Sequence, residues 1–361
     1  MISFWVNAAG SFGMEEYIAR RLPGLGERLQ IRTYESLAPE NELFTGPHVF
    51  ASLCQLPPSG HALVASLSSR LRQAVPSVRL LNDPHRSAGR FELLTRLHAA
   101  GINRFRAWRA SEADSVDRFP VFVRQDSGHE GALTRLLRDR RELAVALRSL
   151  RVRGLRLDDL LVVEFCDLAD GDGIVRMASV YKVGEHVVPA FLLRSRQWML
   201  KWNLSDQDAP AMQEFLCYVS DNPHEAWVRR IFALAGIDYG RLDYGICGDT
   251  LQVWEINLNP TPGPPPGPEP PPLEPPLEEM LQEGRRIYNR AMWNAFTALD
   301  PCGESGTVPI RLDPALIDGM QRDLKRVRRR GATLGVLRDI YRNRLIGWPI
   351  RAAYSLLLPR R

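Results

Sequence analysis

The chain has 361 residues, of which 45% are hydrophobic and 25% are charged, and its formal net charge is +5. This composition is typical of a globular protein with a sizeable core, and no stretch approaches the ~20 apolar residues that cross a bilayer as a helix. The first residues place no basic segment ahead of an apolar stretch, so we predict no signal peptide.

The positive charge is concentrated at the end of the chain. Residues 322–361 contain twelve Lys and Arg but only two acidic residues, a balance of +10, so the preceding residues sum to −5. The basic pI therefore belongs to the tail, and we predict no nucleic-acid partner for the main body.

The cysteines are scattered and form neither a CxxC pair nor a metal-ligand spacing. An odd, scattered set indicates reduced thiols in a cytoplasmic protein. The five residues are Cys54, Cys166, Cys217, Cys247 and Cys302.

Strand and helix signals alternate through the first 85 residues. Residues 2–6, 48–53 and 77–81 are rich in strand formers, and residues 63–74 have apolar side chains at helical spacing. This alternation predicts a small α/β lobe, which serves either substrate binding or structure alone.

The middle of the chain continues with mixed elements. Residues 89–100 predict a helix that Gly101 ends, and residues 133–150 predict a basic amphipathic helix with its leucines inside. Residues 119–124 and 160–165 predict two strands, the second buried because it is continuously apolar.

A hairpin and a helix follow. Residues 175–183 and 187–193 are two strand-like runs around a short turn. Residues 222–236 predict a helix with Asn222 as its N-cap, Pro223 as its first residue and Gly236 at its end.

A second hairpin is predicted between residues 240 and 260. Two alternating runs, residues 242–247 and 251–257, flank the turn dipeptide Gly248-Asp249. In a two-residue turn at this point, Cys247 faces Thr250.

Counting back along this hairpin brings acidic side chains together. The count sets Asp243 opposite Trp254 and beside Glu255, with Asn257 on the face of Glu255 because side chains alternate. Two carboxylates and an amide oxygen suit Mg²⁺ and, with it, nucleotide phosphates. The alternative is a surface hairpin whose acids are solvated.

The remaining residues change character. Residues 260–276 hold eleven of the 27 prolines, which predicts an extended linker. Residues 278–299 predict a helix that packs back on the body, and basic helical segments follow from residue 314, including 335–348 and 350–358. For this tail we prefer solvated helices packed on the protein's own core, and peripheral membrane contact or binding of a partner is the alternative.

The second hairpin resembles the closing motif of the ATP-grasp superfamily, which includes D-alanine–D-alanine ligases, glutathione synthetases and ribosomal-protein glutamate ligases. That motif is an Asp on one strand, Glu-x-Asn on the next and then Asn-Pro. Here it is Asp243, Glu255-Ile256-Asn257 and Asn259-Pro260. The resemblance implies that Asp243, Glu255 and Asn257 hold Mg²⁺, or Mn²⁺, against ATP, and that Asn259 contacts substrate or phosphate.

The resemblance extends upstream to about residue 82. The family carries Lys where this chain has Arg90 and Arg124, and both are implied to reach the ATP phosphates with a planar fork instead of a point charge. Gly128 and Gly131 match a flexible loop that closes over the triphosphate.

The same resemblance assigns the nucleotide base and further cationic residues. The strand end at Glu164, Phe165 and Cys166 is implied to bind adenine, and Asp167 the ribose, whereas an ordinary cap is the alternative. The implied catalytic residue is Arg176 with Lys182 as the fallback, and Lys201 is implied to help hold phosphate or an acidic substrate.

The fold class implied is α/β with α+β lobes, an ATP-grasp fold. The predicted regions are an N-terminal α/β lobe (1–85), a first ATP-grasp lobe (86–165), a second lobe with the metal site (166–261), a Pro-rich linker (262–276) and a helical basic C-terminal region (277–361).

The implied activity is that of an ADP-forming carboxylate–amine ligase, which uses Mg-ATP to make an acyl phosphate that an amine then attacks. Its substrates are small-molecule or peptide carboxylates and amines, whose identity the sequence does not indicate, and neither does it indicate the oligomeric state. The alternatives are a catalytically silent ATP-binding scaffold, which Arg at both Lys positions favours, and a phosphotransferase acting on a hydroxyl.

Overall fold

The computed structural model describes residues 1–128, 131–200, 205–262, 273–303 and 306–326. These residues form a mixed α/β structure with one parallel sheet and three antiparallel ones. None of the helices in this part of the chain combines the length and apolar character needed to cross a bilayer.

The N-terminal lobe is a four-stranded parallel sheet flanked by two helices. The second strand in the chain lies at one edge, followed in space by the first, the fourth and the fifth. The sheet and its flanking helices include the strands and the helix that the sequence predicts in this part of the chain. Its elements are β1 (Ile2–Val6), α1 (Ser11–Arg21), β2 (Leu29–Thr33), β3 (Glu40–Phe44, outside this sheet), β4 (His48–Phe50), α2 (Pro58–Ala74) and β5 (Leu80–Leu81).

Two strands of this lobe are shorter than predicted. β4 ends at Phe50 instead of residue 53, because Ser52 takes a left-handed backbone (φ 57°) and Leu53–Gln55 form a 3-10 turn. β5 has only two residues. The apolar residues just outside these strands pack in the core without pairing with another strand. Leu53, for example, is buried there.

The middle lobe is a three-stranded antiparallel sheet with its own core. Its last strand in the chain lies between the other two. Buried leucines and valines from the strands and one helix fill the space between them. The elements are α3 (Arg90–Ala99), β6 (Ala107–Arg109), β7 (Val121–Gln125), α4 (Arg140–Val152) and β8 (Leu160–Glu164).

The prediction of a helix over residues 133–150 is wrong for its first seven residues. Leu133 N donates to Val123 O at 2.7 Å and Leu137 N to Val121 O at 2.7 Å, so this segment runs along β7. The helix begins only at Arg140, where the side chain of Asp139 accepts from Glu142 N. The leucines are core residues, as predicted, but strand pairing overrides their helical spacing.

The large sheet is antiparallel, four-stranded and covered by two helices on one face. Its spatial order is β10-β9-β11-β12 for β9 (Val175–Val183), β10 (His186–Ser195), β11 (Tyr239–Cys247) and β12 (Thr250–Asn257). Between β10 and β11 lie α5 (Ala209–Ser220) and α6 (Glu225–Ala235). Ala178, Val180 and Leu242 face these helices in a shared core.

The first turn of α6 differs from the prediction. The helix starts at Glu225 with His224 as its N-cap, so Pro223 is not its first residue. Asn222 Oδ1 instead accepts from His224 N at 3.2 Å, which closes a turn before the helix. The predicted end at Gly236 is confirmed by its left-handed φ of 66°.

The last part of the described chain returns to the N-terminal lobe. Helix α7 (Pro275–Thr297) packs between β1 and the large sheet, and β13 (Thr307–Arg311) pairs with β3. Residues 314–326 are helical. The helices predicted at 335–348 and 350–358, and most of the Pro-rich segment, lie outside the described residues.

Candidate active site

The hairpin β11–β12 closes at the predicted turn. Cys247 pairs with Thr250, and Gly248 takes a left-handed φ of 56°, which a two-residue hairpin turn requires. This geometry follows from local turn chemistry, which is why the sequence indicates it directly.

The register further along the hairpin corrects the predicted pairing. Asp243 lies opposite Glu255 and not opposite Trp254. A β-bulge causes the shift: Tyr244 pairs with Val253, and Trp254 is the extra residue between the two pairs. The bulge brings the two carboxylates into direct cross-strand opposition, closer than the count from the turn predicts.

Three strands bring polar residues onto one face of the large sheet. Asp243 pairs with Ser179 on β9 and with Glu255 on β12, and paired residues share a face. Asn257 lies two residues beyond Glu255, opposite Arg241. We call this the acid face, and the opposite face, which α5 and α6 cover, the helix face.

Asp243 is buried and held by two neighbours. Arg241 donates through Nε to Oδ1 at 2.8 Å and through Nη2 to Oδ2 at 2.9 Å, and Ser179 Oγ also donates to Oδ1. Burial opposes the charge on Arg241, yet the Asp243 carboxylate raises the pKa of that guanidinium above its ordinary value. Arg241 therefore remains a fixed cation beside the acids.

Arg241 was not among the site residues predicted from the sequence. The signal was present, because an Arg two residues before an Asp on the same strand shares its face. Its guanidinium also lies 5.4 Å from the centre of the Phe191 ring, which adds a cation–π contact.

Glu255 is held by two arginines that were predicted to reach phosphate. Arg90, the first residue of α3, donates to Oε2 at 2.6 Å, and Arg124 of β7 forms an ion pair with the same oxygen. Burial lowers the pKa of Arg124, and the Glu255 carboxylate opposes that shift. Arg90 and Arg124, which were predicted to contact phosphate, thus both bind one oxygen of Glu255, which was predicted to bind the metal ion.

Arg90 also fixes the loop that was predicted to close over phosphate. Its Nη1 donates to three backbone carbonyls at 2.5–2.9 Å, those of Gln125, Asp126 and Gly128. A Cβ at Gly128 would lie 2.9 Å from Gln125 Cβ, which is closer than real Cβ contacts, so this position favours glycine. Gly131 has a left-handed φ of 82°.

The predicted adenine-binding strand end is tightly hydrogen-bonded. Buried Glu164 accepts from Arg106 N at 2.7 Å, and Phe165 N donates to Pro120 O at 2.9 Å. Asp167 Oδ1 accepts from the amide of Ala169 at 3.0 Å, which is the capping geometry left open as its alternative. Cys166 is half-buried, and burial raises the pKa of its thiol.

The two strand cations lie away from the acids. Arg176 pairs with Ile246 and Lys182 with Gly240, so both share the face opposite Asp243. Arg176 binds Glu214 through two hydrogen bonds of 2.7 and 3.0 Å and also pairs with Asp170. Lys182 Nζ lies 3.7 Å from Asp238 Oδ1. Lys201 lies outside the described residues.

Asn259 joins the acid face to the N-terminal lobe. Its backbone N donates to Asn257 Oδ1 at 2.9 Å, and its Nδ2 donates to Gly10 O at 3.1 Å. Cys54 lies within electrostatic reach of Arg90 and Glu255, and burial raises the pKa of its thiol to about 11. This thiol is neutral at physiological pH and offers no thiolate nucleophile.

The donor set fits a hard divalent cation. The described residues include no group of three or more His, Cys, Asp or Glu side chains arranged for a metal ion. Asp243, Glu255 and Asn257 instead offer two carboxylates and an amide oxygen on one face, a mixture that Mg²⁺ accepts when phosphate and water complete its shell.

No protein-family model and no curated protein matches the chain. Solved structures similar to it include an ATP-grasp RimK domain protein from Sphaerobacter thermophilus (14% identity, covering 81% of this chain and 100% of that one, TM-score 0.41). Others are D-alanine–D-alanine ligase from Coxiella burnetii (12%, 83% and 98%, 0.44) and the ATP-grasp ligase PsnB with a precursor variant, Mg and ADP (13%, 81% and 98%, 0.48). At these identities and TM-scores, the likeness is one of fold alone.

Proposed function

We propose that the protein is an ATP-dependent carboxylate–amine ligase that works through an acyl phosphate. One observation carries the proposal: Asp243 and Glu255 oppose each other across β11 and β12 on the acid face, surrounded by three guanidinium groups. A buried Asp243 and a partly buried Glu255 face each other, and guanidinium groups from two lobes contact them. This is the kind of charge array that supports phosphoryl transfer from Mg-ATP.

The acids and the cations have separate roles in this proposal. Asp243, Glu255 and Asn257 would hold Mg²⁺, which supplies charge neutralisation at the β- and γ-phosphates. Arg90 and Arg124 would transfer their hydrogen bonds from Glu255 to phosphate oxygens. Arg241, already fixed by Asp243, would lie beside the carboxylate that receives the phosphoryl group.

The chemistry requires positioning more than covalent catalysis. The substrate carboxylate attacks the γ-phosphorus and releases ADP, and the amine then attacks the acyl carbon and releases phosphate. Such steps depend on orientation and on electrostatic stabilisation. The neutral Cys54 thiol is consistent with this route, because no protein nucleophile is needed.

The remaining predicted roles are retained as part of the proposal. The strand end at Glu164, Phe165 and Cys166 would bind adenine, and Asp167 the ribose. The Gly128–Gly131 loop would cover the phosphates, and Asn259 would contact substrate. We also retain the predicted lobe boundaries and a cytoplasmic location with carboxylate and amine partners.

Arg176 and Lys182 remain candidate catalytic residues only if the helix face takes part. Their ion pairs with Glu214 and Asp238 direct them away from Asp243. We therefore propose Arg241 as the main catalytic cation, ahead of Arg176 and Lys182.

Hydroxylamine trapping tests the proposal. Purified protein is incubated with Mg-ATP, hydroxylamine and a panel of carboxylates, and ADP and hydroxamate are both measured. Equimolar ADP and hydroxamate with at least one carboxylate are expected. A stable phosphorylated hydroxyl compound in place of hydroxamate would contradict the ligase and support the phosphotransferase.

One contact favours a second candidate, an ATP-binding scaffold without ligase activity. Arg90 and Arg124 both neutralise Glu255, so a metal ion must compete with two guanidinium groups for that carboxylate. Binding of Mg-ADP without any ADP formation across the panel would support the scaffold over the ligase.

A further inference from the structure

The guanidinium of Arg241 is held on an edge and on a face by its own sheet. Asp243 accepts from Nε and Nη2 at 2.8 and 2.9 Å, which occupies one edge of the planar fork. The Phe191 ring lies 5.4 Å from the guanidinium carbon. A guanidinium has five N–H donors, so three donors remain for the groups beside it.

A tyrosine lies beside this guanidinium on the next strand. Tyr181 of β9 pairs with Arg241 of β11, and paired residues share a face, so both belong to the acid face. Burial raises the pKa of Tyr181 to about 12, and the positive charge of Arg241 opposes that rise. The phenol and the guanidinium are therefore neighbours within the buried part of the acid face.

The hydroxyl proton of Tyr181 already has an acceptor. Tyr181 Oη donates to the backbone carbonyl of Thr261 at 3.1 Å. A phenol has one proton to donate, and its oxygen can also accept. Because the proton is engaged by Thr261, the same oxygen can only accept from Arg241, and a guanidinium can only donate. The two groups are thus complementary in one orientation.

The Thr261 carbonyl belongs to the segment that continues from the candidate metal ligand. Asn257 Oδ1 accepts from Asn259 N at 2.9 Å, and Thr261 follows two residues later. Thr261 also packs against the start of α1, because a Cβ on Gly13 would lie 3.1 Å from Thr261 Oγ1. Through one hydroxyl, Tyr181 therefore connects the cation on β11 with the chain beyond the metal-binding end of β12.

Tyr181 itself is enclosed by the core. It is 1% exposed, and its ring centre lies 6.0 Å from that of Tyr288 on α7. The side chain of Arg241, in contrast, is 18% exposed. Of the two residues, only Arg241 offers appreciable surface to a ligand, while Tyr181 is fixed behind it.

We propose that Tyr181 is a positioning residue for phosphoryl transfer, which fixes the Arg241 guanidinium relative to the end of β12 through the Thr261 carbonyl. Tyr181 does not touch the substrate and acts only through Arg241. This role rests on the proposed function, in which Arg241 lies beside the carboxylate that receives the phosphoryl group. Binding of Mg-ADP, which lacks the γ-phosphate, does not depend on it.

Fluoroaluminate separates these two properties, because it mimics the phosphoryl group in transfer when it binds next to ADP. Mg-ADP is titrated into the protein with and without fluoroaluminate, and wild type should bind more tightly with it. Tyr181→Phe keeps the ring and removes only the hydroxyl. Its Mg-ADP affinity should stay within about twofold of wild type, and the gain from fluoroaluminate should fall about tenfold, because hydrogen bonds to charged groups are strong.

Tyr239→Phe is the matched control. Tyr239 lies in the same core cluster, two residues before Arg241 on β11, and its buried hydroxyl has no hydrogen-bond partner within the described residues. The variant should keep both the Mg-ADP affinity and the gain from fluoroaluminate. An equal loss of the gain in Tyr239→Phe would overturn the proposal, because the effect would then come from the core in general.

Turnover gives a second readout that loss of packing alone does not produce. With a carboxylate that yields hydroxamate, kcat of Tyr181→Phe should fall about tenfold while KM for Mg-ATP stays unchanged, since the contact matters only during transfer. An unchanged kcat would overturn the positioning role, and so would a loss confined to KM.

Failure of this role is distinguishable from failure of the ligase. A full fluoroaluminate gain in Tyr181→Phe would reject the role of Tyr181 and leave the ligase standing. A wild-type protein without that gain would also overturn the role, and the hydroxamate assay decides separately whether the ligase stands.

Discussion

Both faces of the large sheet carry charged side chains, but they arrange them differently. On the acid face, Asp243 and Glu255 are held by arginines from β11, from α3 and from β7. On the helix face, Arg176 is shared between Asp170 and Glu214 at the sheet margin. The ion pairs of the acid face connect two lobes. Those of the helix face form within one lobe.

Burial separates the two sets further. The side chains of Asp243 and Glu255 are 9% and 13% exposed, whereas those of Asp170 and Glu214 are 26% and 30% exposed. Water screens the helix-face pairs, so they contribute little to stability. The acid-face charges depend on one another, and a ligand can replace those partners, which is the property expected of a binding site.

The largest expected effect is on ATP turnover. Glu255→Gln and Asn257→Asp should each lower ADP formation by about 100-fold or more with the fold intact, because both alter the ligands that neutralise phosphate charge. Glu214→Gln is the matched control on the helix face and should change turnover less than about threefold. Wild-type rates in both acid-face variants would count against the metal assignment.

The next effect is on stability. Arg241→Met leaves the buried Asp243 carboxylate without its bidentate partner and should lower the free energy of unfolding by about 3 kcal/mol. Arg176→Met should cost less than about 1 kcal/mol, because its pairs are part-exposed. Urea unfolding followed by circular dichroism compares the two. Equal losses would mean that burial does not distinguish the faces.

Ligand binding gives a third, intermediate effect. Mg-ADP at 100 times its Kd should stabilise the protein by about 2.7 kcal/mol, and chelation of Mg²⁺ by EDTA should remove most of this gain. In Asp243→Asn the gain should no longer depend on Mg²⁺. Thermal unfolding with ADP, with and without metal, measures this. If EDTA did not reduce the stabilisation of the wild-type protein by ADP, the nucleotide would bind without the metal.

The smallest effect is expected at Lys182. Its Nζ lies 3.7 Å from Asp238 Oδ1, which is longer than a hydrogen bond, and the Asp238 side chain is 35% exposed. Lys182→Met should therefore change the free energy of unfolding by less than about 0.5 kcal/mol. ADP formation should also stay near wild type. A tenfold loss of turnover would restore Lys182 as a catalytic residue and weaken the contrast between the faces.

Local chemistry was sufficient for several features of this chain. The turn at Gly248 and the left-handed end of α6 at Gly236 follow from the conformational freedom of glycine. Alternation along β12 places Glu255 and Asn257 on one face, as the sequence predicts. These features depend on residues close to each other in the chain.

Other features depended on contacts that no local pattern encodes. The bulge at Trp254 lies in the pairing of β12 with β11, a strand that also pairs with β9 on its other side. It places Glu255 opposite Asp243. Residues 133–139 run along β7 because backbone partners were available there, in spite of their helical spacing. Single-strand counting cannot include a bulge or a neighbouring strand.

The sequence by itself determined the order of most helices and strands along the N-terminal lobe, the middle lobe and the large sheet. It also determined which residue types lie on the acid face. Both follow from periodicity and turn chemistry, which are local. Only the tertiary structure decided which charges form pairs. Arg90 and Glu255 are 165 positions apart in the chain. Arg176 reaches Glu214 only because α5, which carries Glu214, packs on the same face of the sheet. The energy of a charge pair depends on distance in space, and the tertiary fold sets that distance.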